Sequence, residues 1–349
     1  MHKTIIKTIV CITLLGMTLG AQAKLAGKNV VLVHGFRATD LKNYPNDSQL
    51  KSLANNYWSS YWGSRAEATI YWSSADRISG GVKNKVKAQF KALANNNTCS
   101  NGCVIVTHST GDLVTRYALK NLGSWGISAS KFKVLAVLDF AGAGGGTEMA
   151  DLAVGVSEGS GWVNSVQKAA VNTFMGFTPQ KGKMGVMYDL QPNNARNLAT
   201  SNSSYPRLRF VGTGWQYAGV TKPFISGMDD SVVPLHSACG APSKGAYDSC
   251  SKSIANNGVI KSVSKAPSSL WYNHFAVLMG EKTNHGQSIS TSKSGEFATV
   301  SNNFTKNGVK VDFSTSTSKK WWSNGKKVRW VKGGSSKSMS KNVYDTLNN

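Results

Sequence analysis

Apolar runs alternate with helical patterns along the first two thirds of the chain. Residues 80–94 have a helical composition with several lysines, and residues 111–122 place apolar side chains on one helical face. Strands that are apolar throughout are typical of a sheet covered on both faces, and strands separated by helices indicate mostly parallel pairing. The pattern therefore predicts an α/β fold, a mostly parallel sheet with helices on both faces. The predicted strands are residues 28–33, 68–72, 103–107, 132–140 and 208–212.

Residues 147–180 interrupt this alternation. They mix Ala, Val, Gly, Met and Phe with few charges, and they lie between two predicted strands. Two interpretations fit this composition. The segment is either an insertion that covers an active site as a lid or an ordinary core helix.

From residue 281 the composition shifts to Ser, Thr, Asn and Lys, with twelve Lys or Arg residues against four acids. We expect an appended, basic, β-rich segment at 281–349. Residues 319–322 (Lys-Lys-Trp-Trp) and 326–330 (Lys-Lys-Val-Arg-Trp) interleave bases with aromatics. This pattern suits an anionic interface at which Trp rings anchor. The alternative is a β-strand with ordinary solvated lysines.

The N-terminus has the features of a secretory signal peptide at residues 1–23. Two lysines precede an apolar run at 8–20, which is too short to span a bilayer, and Ala-Gln-Ala follows as a cleavage site. We therefore expect a secreted protein, extracellular or periplasmic, with a catalytic domain at residues 24–280. No later stretch is long and apolar enough for a membrane helix.

Composition favours a folded protein, and the net charge indicates which partners it could bind. Hydrophobic residues make up 40% of the chain and charged residues 16%, which favours a folded protein over a disordered one. The formal net charge of +23 suits an anionic membrane or cell-surface polymer, and a solvated basic surface is the alternative. Nucleic acid is not an expected partner because no nucleic-acid-binding motif is present. The oligomeric state stays open.

Four cysteines remain after removal of the signal peptide: Cys99, Cys103, Cys239 and Cys250. Sequence proximity favours the pairs Cys99–Cys103 and Cys239–Cys250, although two other connectivities are open. A zinc site competes with this interpretation, but an oxidising compartment favours disulfides. We expect neither a metal nor a cofactor.

A candidate nucleophile follows the predicted strand at 103–107. Ser109 lies between that strand and the predicted helix, with Gly111 two residues after it. This is the strand–turn–helix context of a nucleophile elbow, in which the residues two before and two after the serine must be small. Thr107 stands where Gly is usual.

An acid is expected later in the chain, since hydrolases of this type place the residues in the order Ser, acid, His. Residues 227–234 (Gly-Met-Asp-Asp-Ser-Val-Val-Pro) resemble a turn after a strand. We choose Asp230 because Asp-x-Val-Val-Pro is the usual form of this turn. Asp229 is the alternative, and either aspartate could instead serve as a turn or cap residue.

The serine also needs a base within hydrogen-bond reach. We choose His274, in the segment Asn-His-Phe-Ala-Val-Leu at 273–278. His285 has the sequence context of an exposed loop residue, and His236 follows the acid by only six residues. His108 adjoins the nucleophile, so its side chain should point away.

Charge that develops on a carbonyl oxygen requires preorganised donors. The backbone N–H of Thr110, directly after the nucleophile, is one candidate. The second is the N–H of Phe36, because residues 34–36 (His-Gly-Phe) follow the first predicted strand.

Taken in order, five segments resemble secreted bacterial true lipases and cover about residues 28–280. The resemblance implies an α/β-hydrolase fold and two-step acyl transfer by Ser109, Asp230 and His274. It departs at Ala276, where these lipases often carry a calcium-binding Asp, so we expect no calcium site of that type. The segments are residues 34–36, 107–117, 146–151 (Gly-Thr-Glu-Met-Ala-Asp), 230–233 and 273–275.

The resemblance implies a lipid ester, with triacylglycerol as the favoured substrate. Phospholipid and an extracellular polyester such as poly(3-hydroxybutyrate) are the alternatives. A protein without catalytic activity, which uses its basic, Trp-rich segment to bind an anionic surface, is the competing class.

Overall fold

The computed structural model describes residues 25–58, 60–159, 163–198, 204–244, 273–291, 295–299, 303–319 and 327–348. The predicted signal peptide, Cys250 and the pair Trp321 and Trp322 lie outside these residues. Within the described ranges, no helix combines the length and apolarity that crossing a membrane requires.

Eleven strands occur in the described residues. Nine of them form one sheet in the order β10-β11-β7-β6-β5-β4-β3-β1-β2, and β8 pairs with β9 in a separate hairpin. The first six strands pair in parallel, whereas β7, β11 and β10 add antiparallel neighbours at one edge. The strands are β1 Asn29–Val33, β2 Ala68–Ile70, β3 Cys99–His108, β4 Phe132–Phe140, β5 Arg207–Gly212, β6 His274–Gly280, β7 Phe297–Ala298, β8 Asn303–Lys306, β9 Val309–Asp312, β10 Thr315–Lys319 and β11 Lys327–Val331.

Helices connect the parallel strands. Short single-turn helices also occur at Gly185–Met187, Tyr217–Gly219, Lys222–Phe224, Gly286–Ser288 and Gly334–Ser336, and a π-helical turn at Ile78–Val82 leads into α4. The α-helices are α1 Ala38–Asn43, α2 Asp47–Tyr57, α3 Ser60–Gly63, α4 Lys83–Asn95, α5 Thr110–Asn121, α6 Glu148–Glu158, α7 Ser165–Met175, α8 Pro192–Leu198, α9 Leu235–Ala238 and α10 Met339–Asn348.

The central strands are buried on both faces. In β3, Val104 and Val106 belong to one hydrophobic cluster, while Ile105 between them belongs to the other. Successive side chains of a strand point to opposite faces, so an unbroken apolar run is what a doubly covered strand requires. The predicted mostly parallel sheet is confirmed, and its strand order is that of the α/β-hydrolase fold.

The C-terminal residues continue the main sheet. β7, β11 and β10 extend it beyond β6, and α10 buries Val343 and Leu347 in the hydrophobic cluster that also contains Val104 and Val106 of β3. Trp62 donates from its indole Nε1 to Ser340 Oγ at 2.8 Å, which ties α10 to α3. The boundary predicted at residue 280 therefore does not coincide with a break in the sheet.

The described residues of the segment at 147–180 include two helices, α6 and α7, which differ in burial. α6 buries Met149, Ala150 and Ala153, as a core helix does, and the two alanines belong to a large hydrophobic cluster. α7 is more exposed, with Val166 at 64% exposure, and its Phe174 reaches the cavity described below. A lid role for α7 stays a prediction.

The predicted Cys99–Cys103 pair is confirmed, since the two residues form a disulfide at the start of β3. The predicted partner of Cys239, Cys250, lies outside the described residues.

Candidate active site

Ser109 occupies a sharp turn between β3 and α5, with φ of 55° and ψ of −127°. A non-glycine residue rarely adopts positive φ, and this conformation aims the side chain out of the turn. A Cβ on Gly111 would lie 2.2 Å from the carbonyl oxygen of Val33 and 2.7 Å from that of His34. Only glycine therefore fits two residues after Ser109. Thr107 is accommodated two residues before it, where its hydroxyl donates to Asp139.

The loop after β1 packs directly against the nucleophile. A Cβ on Gly35 would lie 2.7 Å from Ser109 Cβ, so glycine is required for this approach. His34 stacks on Trp72 with ring centroids 4.7 Å apart, and its Nδ1 donates to the carbonyl of Gly35 at 2.7 Å. Burial lowers the pKa of His34 to about 3, so its imidazole is neutral. This arrangement fixes Phe36 beside Ser109, where both residues and Thr110 line one cavity.

Asp230 lies in the loop after β5 and is 1% exposed. Its Oδ1 accepts from the backbone N–H groups of Val232 at 3.0 Å and Val233 at 2.7 Å. These bonds fix the carboxylate, and its Oδ2 lies 2.7 Å from His285 Nδ1.

Asp229, the alternative acid, makes a different set of contacts. It accepts from the backbone of Ser231 at 2.7 Å and lies 3.5 Å from Lys222 Nζ. Burial raises the pKa of Asp229 to about 6. The structure thus assigns the contact with a histidine to Asp230.

His285 lies in the loop after β6. Its backbone N–H donates to the carbonyl of Asp230 at 3.1 Å, and its side chain lines the same cavity as Ser109. β3, β5 and β6 run in parallel, so their carboxyl ends meet at one edge of the sheet. Ser109, Asp230 and His285 each follow one of these ends, which explains why they converge.

The prediction that His274 is the base is corrected by this geometry. His274 is the first residue of β6 and pairs with Arg207 at the start of β5, so it lies at the amino end of the strands. Its Nδ1 accepts from Arg209 at 2.8 Å, whereas a catalytic histidine uses Nδ1 to donate to the acid. Burial, reinforced by Arg209, also holds the pKa of His274 well below its usual value.

The sequence contains a feature that indicates His285 as the candidate base. The apolar run at 275–280 is itself the last parallel strand, so a base should follow this run rather than begin it. His285 comes five residues after the end of β6. The residues next to His285 do not by themselves favour it, because Thr-Asn-His-Gly has the composition of an exposed loop.

His236 belongs to a neighbouring buried cluster. Its Nε2 donates to Glu148 Oε1 at 2.8 Å, and its Nδ1 accepts from Arg196 at 3.0 Å. These bonds link α9 to the start of α6. Both ring nitrogens of His236 are therefore bonded to Glu148 and Arg196 rather than placed for a reaction at Ser109.

A cavity of about 130 Å³ opens at Ser109. Its walls are mostly apolar and include Phe174 of α7 and Tyr217 of the loop after β5. The Phe174 ring lies 6.0 Å from that of Phe36 and 6.0 Å from that of Tyr217. Such a cavity favours the apolar part of a substrate next to Ser109.

A buried network of ion pairs lies next to the turn at Ser109. Asp112, in the first turn of α5, accepts from Arg207 at 2.9 Å, Arg209 at 2.6 Å and the backbone of Gly144 at 2.8 Å. Burial opposes ionisation of Asp112, but Arg209 and Arg207 outweigh it and hold its pKa below the usual value. Asp139 completes the network 3.2 Å from Arg207. The network ties α5 to β4 and β5.

No protein-family model and no curated protein matches the sequence. Among solved structures, the chain is similar to the mature lipase BlEst2 of Bacillus licheniformis, with 16% identity and a TM-score of 0.40 over 61% of this chain and 79% of that one. It is similar to phospholipase PlaB of Legionella pneumophila, with 15% identity and a TM-score of 0.40 over 60% and 45%. It is also similar to lipase 1 of Pelosinus fermentans, with 15% identity and a TM-score of 0.37 over 74% and 92%.

Proposed function

We propose that this protein is a serine hydrolase that cleaves carboxylic esters, with Ser109 as nucleophile, His285 as general base and Asp230 as the acid that orients it. The observation that supports this proposal best is the 2.7 Å contact between Asp230 Oδ2 and His285 Nδ1. His285 and Ser109 line the same cavity. Nucleophile, base and orienting acid are the three parts that activate a serine hydroxyl.

The reaction follows from these positions. Ser109 Oγ attacks the ester carbonyl while His285 Nε2 takes its proton, and Asp230 stabilises the imidazolium through Nδ1–H. The imidazolium then protonates the leaving alcohol as the carbon–oxygen bond breaks, which leaves an acyl-enzyme. Water, deprotonated by His285, attacks this ester and releases the carboxylic acid and free Ser109.

The negative charge on the carbonyl oxygen needs fixed donors. We assign these to the backbone N–H groups of Thr110, at the N-terminus of α5, and Phe36, on the loop that packs against Ser109. The close approach at Gly35 brings this loop within reach of the nucleophile. Losing one such donor costs about 3–4 kcal/mol of transition-state stabilisation.

The substrate we propose is the ester of a lipid. Phe36, Phe174 and Tyr217 surround the reacting serine with aromatic surface, which suits an acyl chain rather than a charged group. The net charge of +23 favours phospholipid as the second candidate, because an anionic surface would concentrate such a protein.

The test is hydrolysis of a panel of triacylglycerols, phospholipids and simple acyl esters by the wild type and by Ser109→Ala. We expect ester cleavage and fluorophosphonate labelling by the wild type and loss of both in Ser109→Ala. Ser157→Ala is the matched control, because Ser157 lies on α6 and its hydroxyl donates to the carbonyl of Val154 in the same helix. A wild type that neither cleaves any ester nor reacts with fluorophosphonate would refute the proposal.

A further inference from the structure

His108, directly before the nucleophile, contacts two other parts of the site. Its Nε2 lies 3.1 Å from the backbone carbonyl of His285, and its ring centroid lies 4.6 Å from that of His285. Its Nδ1 is hydrogen-bonded to the hydroxyl of Tyr57, at the end of α2. His108 is 3% exposed and so lies behind Ser109, away from solvent.

The chemistry of the partners fixes the direction of these bonds. A carbonyl oxygen can only accept, so Nε2 of His108 carries the hydrogen and donates to His285. In the neutral ring Nδ1 then accepts, and the Tyr57 hydroxyl is its donor. Burial, together with the neighbouring His285, holds the pKa of His108 well below its usual value, which keeps this tautomer in place.

The Tyr57 hydroxyl also contacts the loop after β1. A Cβ on Gly35, the residue before Phe36, would lie 2.4 Å from the hydroxyl oxygen, so the two groups are in close contact. A chain of contacts therefore runs from Gly35 to Tyr57 and continues through the Tyr57–His108 and His108–His285 hydrogen bonds.

We propose that Tyr57 and His108 are positioning residues that hold the oxyanion loop and the general-base loop in register on either side of Ser109. The inference deepens the proposed function and rests on it. The loop after β1 and the loop after β6 are far apart in sequence, and each supplies one part of the reaction. A link between them lets the donor N–H of Phe36 and the imidazole of His285 reach their reacting geometry together.

His285 is held both at its ring and at its backbone carbonyl by this arrangement. Asp230 orients the ring through Nδ1, and Ser288 Oγ shares the His285 carbonyl with His108 at 2.8 Å. Removal of the His108 donor leaves the carbonyl with the Ser288 bond but frees the face on which the two imidazoles pack. Displacements of about 1 Å at a reacting group can cost about 100-fold in rate.

The test compares Tyr57→Phe, His108→Phe and the double variant on a soluble short-chain ester. Tyr57→Phe removes the hydroxyl alone, and His108→Phe keeps a ring but removes both hydrogen bonds. We expect each to lower kcat by about 10- to 100-fold with KM changed less than about 2-fold. Because the residues act through one chain, the double variant should lose no more than the worse single variant.

Two further variants separate positioning from general structure. His108→Gln places an amide N–H near the position of Nε2, so it should recover most of the activity that His108→Phe loses. Tyr61→Phe, in α3 beside Arg65 and Tyr344, removes a hydroxyl outside the site and should leave kcat unchanged. Rates are expressed per active site titrated with fluorophosphonate, so a variant that merely unfolds in part does not count as slow.

Additive losses in the double variant, or unchanged kcat in both single variants, would overturn the positioning role. Imidazole ¹⁵N shifts provide a readout that needs no turnover: His108 should remain neutral with hydrogen on Nε2 near neutral pH, and Tyr57→Phe should shift its Nδ1 signal. A His108 that titrates normally would also overturn the inference. If the wild type shows this signature but cleaves no ester, the proposed function fails while the hydrogen-bond chain stands.

Discussion

Replacing His285 and His274 separately distinguishes the base assigned by the structure from the one predicted by sequence. His285→Ala removes the imidazole that contacts Asp230 and lines the cavity at Ser109. Removing the base of a serine triad slows kcat on the order of 10⁴- to 10⁶-fold, which corresponds to about 5–8 kcal/mol of barrier. We expect a loss of this size for soluble esters.

His274→Ala should act on stability instead. The imidazole accepts from Arg209 at 2.8 Å and 3.2 Å, and Arg209 keeps its 2.6 Å bond to Asp112 when the ring is removed. Loss of one hydrogen bond to a charged group costs about 1–3 kcal/mol. For 349 residues at roughly 2.1 cal/mol/K each, this lowers Tm by roughly 1–4 °C.

The assay measures kcat for both variants well below their Tm, with circular dichroism as the check on folding. We expect His274→Ala to keep kcat within about 3-fold of the wild type, because His274 lies at the amino end of β6 and the Arg209–Asp112 bond persists without the imidazole. If His274→Ala were inactive while folded, and His285→Ala retained turnover, the assignment from the structure would be refuted and the sequence prediction restored.

Three other predictions follow from the buried groups. Asp112→Ala leaves Arg207 and Arg209 short of a counter-charge and should cost about 3–5 kcal/mol, measured as a fall in the free energy of unfolding in urea; an unchanged midpoint would contradict this. Gly111→Ala drives a Cβ into the carbonyl of Val33 and should lower both Tm and kcat, the latter more than about 10-fold, as thermal melts and ester assays would show. The lowered pKa of His34, about 3, means that the unfolded chain binds a proton that the folded one refuses as the pH falls from about 6.5 to about 3. Stability should therefore decrease with falling pH, by about 2 kcal/mol at pH 5 from His34 alone, and the lowered pKa values of His108 and His274 act in the same direction. Asp229, with its pKa raised to about 6, acts in the opposite direction between about pH 4 and 6, so an Asp229→Asn background removes this opposing contribution from the measured unfolding free energy.

The parts of the fold that rest on local physics could be predicted from the sequence. β4 spans Phe132–Phe140, as its largely apolar run predicts, because a strand covered on both faces buries nearly every side chain. Ser109 was identifiable because the steric demand at Gly111 acts over two residues. These features need no knowledge of where distant segments lie.

The base and the C-terminal strands depended on tertiary context. Whether a histidine precedes or follows a strand decides which edge of the sheet it reaches, and the sequence around His274 does not show that β6 begins there. β10 has exposed side chains at nearly every position, because it is the last strand at the sheet edge. A composition of Ser, Thr and Lys at Thr315–Lys319 therefore resembles an independent segment although its backbone pairs with the main sheet.

His274, which the sequence predicts as the base, and His285, which the structure favours, both belong to contacts next to the turn at Ser109. His274 caps the Arg209 side chain, and Arg209 binds Asp112, three residues after Ser109 on the first turn of α5. His285 packs on His108, one residue before Ser109. The strained turn at Ser109 is thus held on one side by buried charges and on the other by the hydrogen bonds of His108. A backbone with positive φ at a non-glycine residue persists only when its surroundings over-determine it, and these two sets of contacts provide that restraint.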